Sequence, residues 1–178
     1  MTPTGPASNA KPAKPQPATA QPATAQPATA QPASALGALC ETFVIRGRTV
    51  VPGIVEGEAL VTRDRISGWG GVDPRTGTII ETRHELRGQS FAGKVLVFPG
   101  AKGSSGWSAQ FHVARLMGTA PAAWLFNRMC TKIALGAVVS HSPAMTDFDQ
   151  DPLELIRTGD WVRVDADAGV VTITRRGN

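Results

Sequence analysis

Residues 94–118 read KVLVFPGAKGSSGWSAQFHVARLMG, and the fold turns on how this stretch is understood. Val95, Leu96, Val97 and Phe98 form a short continuous apolar run closed by Pro99 and Gly100, the pattern of a strand buried on both faces. Proline has no N–H to give to a ladder, so the strand is expected to stop there. Beyond Gly103-Ser104-Ser105-Gly106, the apolar residues Trp107, Phe111, Ala114, Leu116 and Met117 return at three- and four-residue spacings, a helical face that Gly118 ends. A strand, a small-residue loop and a helix N-terminus therefore follow one another. Such a loop leaves backbone N–H groups unpaired at the partial positive end of the helix dipole, where a carboxylate or phosphate can sit. The plainer reading is that Ser104 or Ser105 caps the helix while the glycines make the turn. Local physics leaves both open.

Upstream, TFVIRG (42–47) and RTVVPGIVEGEALVT (48–62) are short alternating or apolar runs broken by Gly47, Pro52, Gly53 and Gly57, all β signals. SGWGGVDPRTGT (67–78) packs four glycines, a proline and an aspartate into twelve residues, too irregular for a simple hairpin. It reads as a long shaped loop of the kind that carries function. The alternative is two linked turns, cornered at Asp73-Pro74 and Thr76-Gly77, with Trp69 covering a hydrophobic edge. Ile79 and Ile80 resume a strand, and 84–91 is rich in turns.

Downstream, PAAWLF (121–126) reads as a second buried strand, and 128–139 as a short helix followed by a strand. The acidic stretch 143–155, with Asp147, Asp149, Asp151 and Glu154, reads as a solvated loop leading into a helical turn. It lacks the glycine and closing glutamate of a calcium loop. DWVRVD (160–165) and GVVTITR (169–175) alternate cleanly about residues 166–168 and predict a terminal hairpin. The whole suggests a small barrel-like β domain with two or three helices packed on it.

Residues 1–35 differ in kind. From Gln16 the chain reads QPATA three times and then QPASA, with nothing apolar larger than alanine. No core can form there, and a proline every five residues favours extended chain, so 1–35 is expected to be a disordered tail, dispensable for activity, ahead of a folded domain over 40–176. No apolar stretch is long enough for a signal core or a membrane span, which points to a soluble, cytoplasmic protein. The net charge of +4 includes Lys11 and Lys14 of the tail, leaving 16 basic against 14 acidic residues with no basic helix, so no nucleic-acid surface is expected. Cys40 and Cys130 form no CxxC or Cys/His set, and His84, His112 and His141 are far apart, so this chain alone is expected to bind no metal.

Taken together, VVPGIVEGEALVT (50–62), ISGWGGVDPRTG (66–77), GKVLVFPGAKGSSG (93–106) and DPLELIRTGDWVRVD (151–165) resemble the small, swivelling domain of the aconitase X family, over residues 47–173. The resemblance implies an α/β fold, a swivelling β/β/α barrel-like domain of the aconitase small-domain type. It implies a heterodimer, in which the domain closes over a large subunit carrying iron or an iron–sulfur cluster and a small hydroxy-acid substrate binds between the two. The family's activities are dehydrations, of cis-3-hydroxy-L-proline or of phosphomevalonate. Composition and the alanine-proline tail lean toward the first, since a phosphorylated substrate wants more fixed positive charge than Lys102 alone supplies near the loop.

The wider superfamily places a catalytic serine in a Gly-Ser-Ser loop, which maps onto Gly103-Ser104-Ser105 and makes Ser104 the candidate base, with Ser105 the alternative. An unassisted serine is a poor base, so backbone N–H groups, the helix N-terminus and Lys102 are the expected supports. Lys102, Gly103, Ser105 and Arg128 are the expected substrate contacts, and Ser67, Gly70, Gly71 and Asp73 the expected shapers of the rim. Aconitases proper follow the two serines with an arginine that grips substrate. Position 106 here is glycine, and Arg128 is a possible substitute. The same fold serves as a phosphohistidine carrier, but six residues before Arg115 stands Ala109, so the phosphorylatable histidine of that motif is missing. A non-catalytic binding domain is the remaining alternative.

Overall fold

The computed structural model describes residues 40–103 and 106–176. The repeat tail expected over 1–35 lies outside the described residues, as do Ser104 and Ser105. The elements are β1 (Cys40–Arg46), β2 (Arg48–Val51), β3 (Ile54–Val61), β4 (Ile66–Ser67), β5 (Val72–Asp73), β6 (Thr78–Ile79), β7 (Val95–Phe98), β8 (Ala101–Lys102), α1 (Trp107–Leu116), β9 (Ala123–Phe126), α2 (Thr131–Ser140), β10 (Ala144–Thr146), α3 (Pro152–Leu155), β11 (Trp161–Asp165) and β12 (Val170–Arg176). Eight of the strands form one mixed sheet in the order β1-β12-β11-β3-β7-β9-β10-β2. Its centre, β3-β7-β9-β10, is parallel, and the flanking pairs are antiparallel.

β1 and β2 stand at opposite edges of this sheet, yet only Gly47 separates them in sequence. The sheet must therefore curl until its edges nearly meet. Gly47 N–H donates to the Gly169 carbonyl at 3.1 Å, and Arg46 and Asp149 exchange two hydrogen bonds across the seam, Asp149 N–H to Arg46 O and Arg46 N–H to Asp149 Oδ1, each 2.9 Å. A Cβ on Gly47 would meet the Phe148 ring at 2.5 Å, so no larger residue fits the seam.

The central strand explains its own composition. Val95 and Val97 face a core shared with Ile45, Val162, Val164, Val171 and Ile173 inside the curl, whereas Leu96 and Phe98 face a second core under the helices. All four are fully buried, which is why the run does not alternate. In the second core the Trp107 and Trp124 rings meet edge-on at 5.3 Å, and Gly136 lets α2 approach, since a Cβ there would stand 2.6 Å from the Trp107 ring.

The terminal hairpin forms as β11 and β12, and Asp151 caps α3, accepting from Leu153 N–H at 2.9 Å. The stretch 128–146 departs from expectation. α2 continues through Ser140 without a strand in its second half, and the strand lies later, as β10, within the stretch expected to be a solvated loop. Ala144, Met145 and Thr146 are buried because β9 pairs with them on one side and β2 on the other. No helix among the described residues is long and apolar enough to cross a membrane.

Candidate active site

Because β3, β7 and β9 are parallel neighbours, their carboxyl ends deliver residues 62–67, 99–103 and 127–132 to one end of the sheet. Ligand sites of such sheets form at this end. The three segments are stitched by backbone bonds: Thr62 N–H to Val97 O at 2.9 Å, Ile66 N–H to Gly100 O at 3.1 Å and Arg128 N–H to Pro99 O at 3.1 Å. β4 and β8 then pair in parallel, Ile66 beside Ala101 and Ser67 beside Lys102. Ser67, Lys102 and Gly103, expected from the sequence to act at one site, are brought together, and a Cβ on Gly103 would come within 3.0 Å of Ser67 Oγ.

The rim loop is held from two sides. Trp107, the first residue of α1, donates its indole N–H to Ile66 O at 2.9 Å, and a Cβ on Gly68 would stand 2.5 Å from Trp107 Cα. The loop therefore rests on the helix N-terminus. Ile80 and Glu81 donate their N–H groups to Gly71 O at 2.8 and 3.2 Å. This last pair brings in a residue that the sequence did not single out: Glu81 Oε1 lies 2.6 Å from Lys102 Nζ, while its Oε2 is buried without a partner. Gly70 takes a φ of +73°, and Asp73 accepts from Arg75 N–H and from the Thr76 hydroxyl, which makes it the corner of the β5–β6 hairpin. Trp69 covers no hydrophobic edge. It is 71% exposed at the tip of the rim.

α1 has Gly106 at its N-cap, which offers no side chain to cap it, and no acid in its first turn; the cap by Ser104 or Ser105 weighed from the sequence lies outside the described residues. Its first N–H groups keep their positive character toward the loop. Lys132, on the first turn of α2, donates to Gly103 O. It is a second cation at the loop, 29 residues away in sequence and without any spacing signal to announce it. Arg128 lines a cavity that Arg65 also lines.

Behind the rim, His84 is buried, its Nδ1 accepting Leu86 N–H at 3.1 Å and its Nε2 unpartnered, and burial holds its pKa below the usual imidazole value. Glu85 is held below the usual carboxylate range, first by the Thr62 hydroxyl that donates to it and then by the Arg63 amide. His112 and Arg115 of α1 bond to carbonyls at the end of α2, Val139 O at 3.4 Å and Ser140 O at 3.1 Å. Among the described residues no group of three or more His, Cys, Asp or Glu could hold a metal, Cys40 being exposed on β1 and Cys130 standing before α2. These residues do not fit an iron–sulfur cluster.

A family model, the aconitase X swivel domain, matches residues 44–173. The phosphomevalonate dehydratase small subunit of Methanocella arvoryzae is 42% identical over 130 residues, 73% of this chain and 98% of the relative. That of Methanosarcina mazei is 40% identical over 132 residues, 74% and 92% of the two chains. The crystal structure of Thermococcus kodakaraensis aconitase X in its holo-form superposes with a TM-score of 0.69 at 41% identity, covering 73% of this chain and 97% of that one.

Proposed function

Since the chain belongs to the aconitase X swivel-domain family, we propose that it helps remove water from a phosphorylated hydroxy acid of the phosphomevalonate class, at a site shared with a large, iron-bearing subunit. That it is the small subunit of an aconitase X-type dehydratase follows from the family and from relatives matched over almost their whole length. The activity for which those relatives are named carries the choice of substrate, and it outweighs the lean toward cis-3-hydroxy-L-proline, which rested on composition, the tail and a charge argument. The charge argument against a phosphorylated substrate also weakens, because Lys132 reaches the loop beside Lys102.

Eliminating water from a 3-hydroxy acid requires a proton to leave the carbon beside the carboxylate while the C–O bond at the next carbon breaks. We assign the base to Ser104: the alkoxide takes the proton, the C–H electron pair becomes the new double bond, and the C–O pair leaves with the oxygen as hydroxide, which a proton turns into water. The N-terminus of α1, with no acid in its first turn, and the ammonium groups of Lys102 and Lys132 favour the alkoxide over the alcohol. Glu81 orients Lys102. Iron bound in the large subunit would supply Lewis-acid help to the departing hydroxyl. Closure of this domain over the partner excludes water and completes the site only around substrate.

The test is to co-express this chain with the large aconitase X-like subunit of the same genome and to assay phosphomevalonate and cis-3-hydroxy-L-proline anaerobically, with each subunit alone as control. Dehydration of phosphomevalonate only by the pair is the expected result. Turnover of hydroxyproline alone would reverse the choice of substrate, and an assembled but inactive pair would return the chain to a binding role.

A further inference from the structure

Arg65, Gly100, Ala101, Arg128, Met129 and Cys130 line an open cavity of about 320 Å³. It adjoins the candidate site. Arg65 directly precedes β4, and Ala101, in its wall, directly precedes Lys102. The charge of its lining is one-sided, with two guanidinium groups and no carboxylate.

Four of the described arginines are held through their side chains, Arg115 by the Ser140 carbonyl and the others by carboxylates. Arg48 pairs with Asp147, Arg63 with Glu154 and Arg175 with Asp160. Among the described residues, neither the Arg65 nor the Arg128 side chain has an acidic partner or a hydrogen-bonded carbonyl. The backbone nevertheless fixes where each begins. Arg128 N–H is bound to Pro99 O, a Cβ on Gly100 would lie 3.5 Å from Arg128 Cβ, and Ile66, next to Arg65, is bound to Gly100 O. Two anchored, unpaired guanidinium groups from two strand ends thus share one concave space. Planar guanidinium forks match the oxygens of a phosphate bidentately, and a phosphate monoester carries a charge of about −1.5 to −2 at neutral pH. The remaining wall, Ala101, Met129 and Cys130, suits the carbon chain leading away from it.

We propose that this cavity is the phosphate subsite of the enzyme, in which Arg65 and Arg128 clamp the phosphate monoester of the hydroxy-acid substrate while its reacting carbons lie toward Lys102 and Gly103. The assignment rests on the reading of the substrate as phosphorylated. It also explains why the arginine that follows the serines in aconitases proper is dispensable here: the grip comes from the strand ends.

Two measurements separate the subsite from the substrate. In the first, inorganic phosphate is titrated into the isotope-labelled full chain while amide resonances are followed. Shifts should concentrate on 65–66, 100–101 and 128–130 and disappear in the Arg65→Ala/Arg128→Ala variant, whose remaining spectrum reports that it is folded. Scattered shifts, or shifts that survive the double substitution, would overturn the subsite. In the second, the two-subunit enzyme is assayed with phosphomevalonate. Each alanine substitution should raise KM about tenfold or more, the size of one lost charge-assisted hydrogen bond, with Arg128→Lys intermediate. An unchanged KM would overturn the clamp. Phosphate binding at the cavity in an enzyme that does not turn over phosphomevalonate would keep the subsite and sink the proposed substrate.

Discussion

Lys102 and Glu81, 21 residues apart, form an ion pair of 2.6 Å in which only one carboxylate oxygen is used, the other being buried and unpartnered. The pair ties the strand entering the Gly-Ser-Ser loop to the segment that holds the rim at Gly71. Lys102→Ala strands the carboxylate, with a stability cost on the order of 1–3 kcal/mol. Adding Glu81→Gln should recover part of that loss, and a double-mutant cycle by urea unfolding measures the coupling. Additive losses would mean that the pair contributes nothing.

Ser104 is proposed as the base, so Ser104→Ala should lower turnover of the two-subunit enzyme by about 10²- to 10⁴-fold, the range for a lost general base, without moving the melting temperature. Should Ser105→Ala carry the loss instead, the base moves by one residue and the dehydratase stands.

Gly71 and Gly70 differ in what surrounds them. A Cβ on Gly71 would stand 2.2 Å from Ser67 O, whereas Gly70, at a φ of +73°, has open space around it. Gly71→Ala must displace the rim and should cost about 3 kcal/mol, against about 1 kcal/mol of backbone strain for Gly70→Ala. Urea midpoints of the two variants give the comparison, and equal values would refute it.

His84 sets a pH dependence of stability. Its folded pKa lies below the ordinary value of 6.5, so as pH falls through that value the unfolded chain takes up a proton that the folded one refuses. Stability from this group is complete above about pH 6.5 and declines from there down to the folded pKa. His84→Asn keeps an acceptor for the Leu86 N–H and cannot titrate, so its melting temperature should vary less across that window. Parallel curves would show that His84 is not the source. Glu85, held below the usual carboxylate range, adds its own loss at more acid pH.

What the sequence disclosed and what it hid follow from range. Val95–Phe98 and Trp107–Leu116 are legible because an apolar run between prolines and glycines, or a helical face, is a local pattern. β10 is three residues long, next to a run of acids, and becomes a strand only because β9 and β2 lie on either side of it. The site divides the same way. Lys102, Gly103 and Ser67 lie within quotable motifs, while Glu81, Lys132 and Arg65 reach it through contacts that no spacing encodes. Trp69 misled the turn reading because an aromatic beside glycines usually covers something, and here it is exposed.

The first described strand closes against the last, Cys40 opposite Arg176 and Arg46 opposite Val170. On the ribosome, β1 emerges early and finds its partner only when residues 170–176 have been made, several seconds later at ordinary elongation rates of about 5–20 residues per second. Until then β1 has no neighbour on that side and the curl cannot close. The domain should therefore fold after synthesis rather than during it, and slowly, since its defining contact spans most of the chain. A stop codon that removes only the last strand would delete no residue of the candidate site and would still be expected to abolish the enzyme.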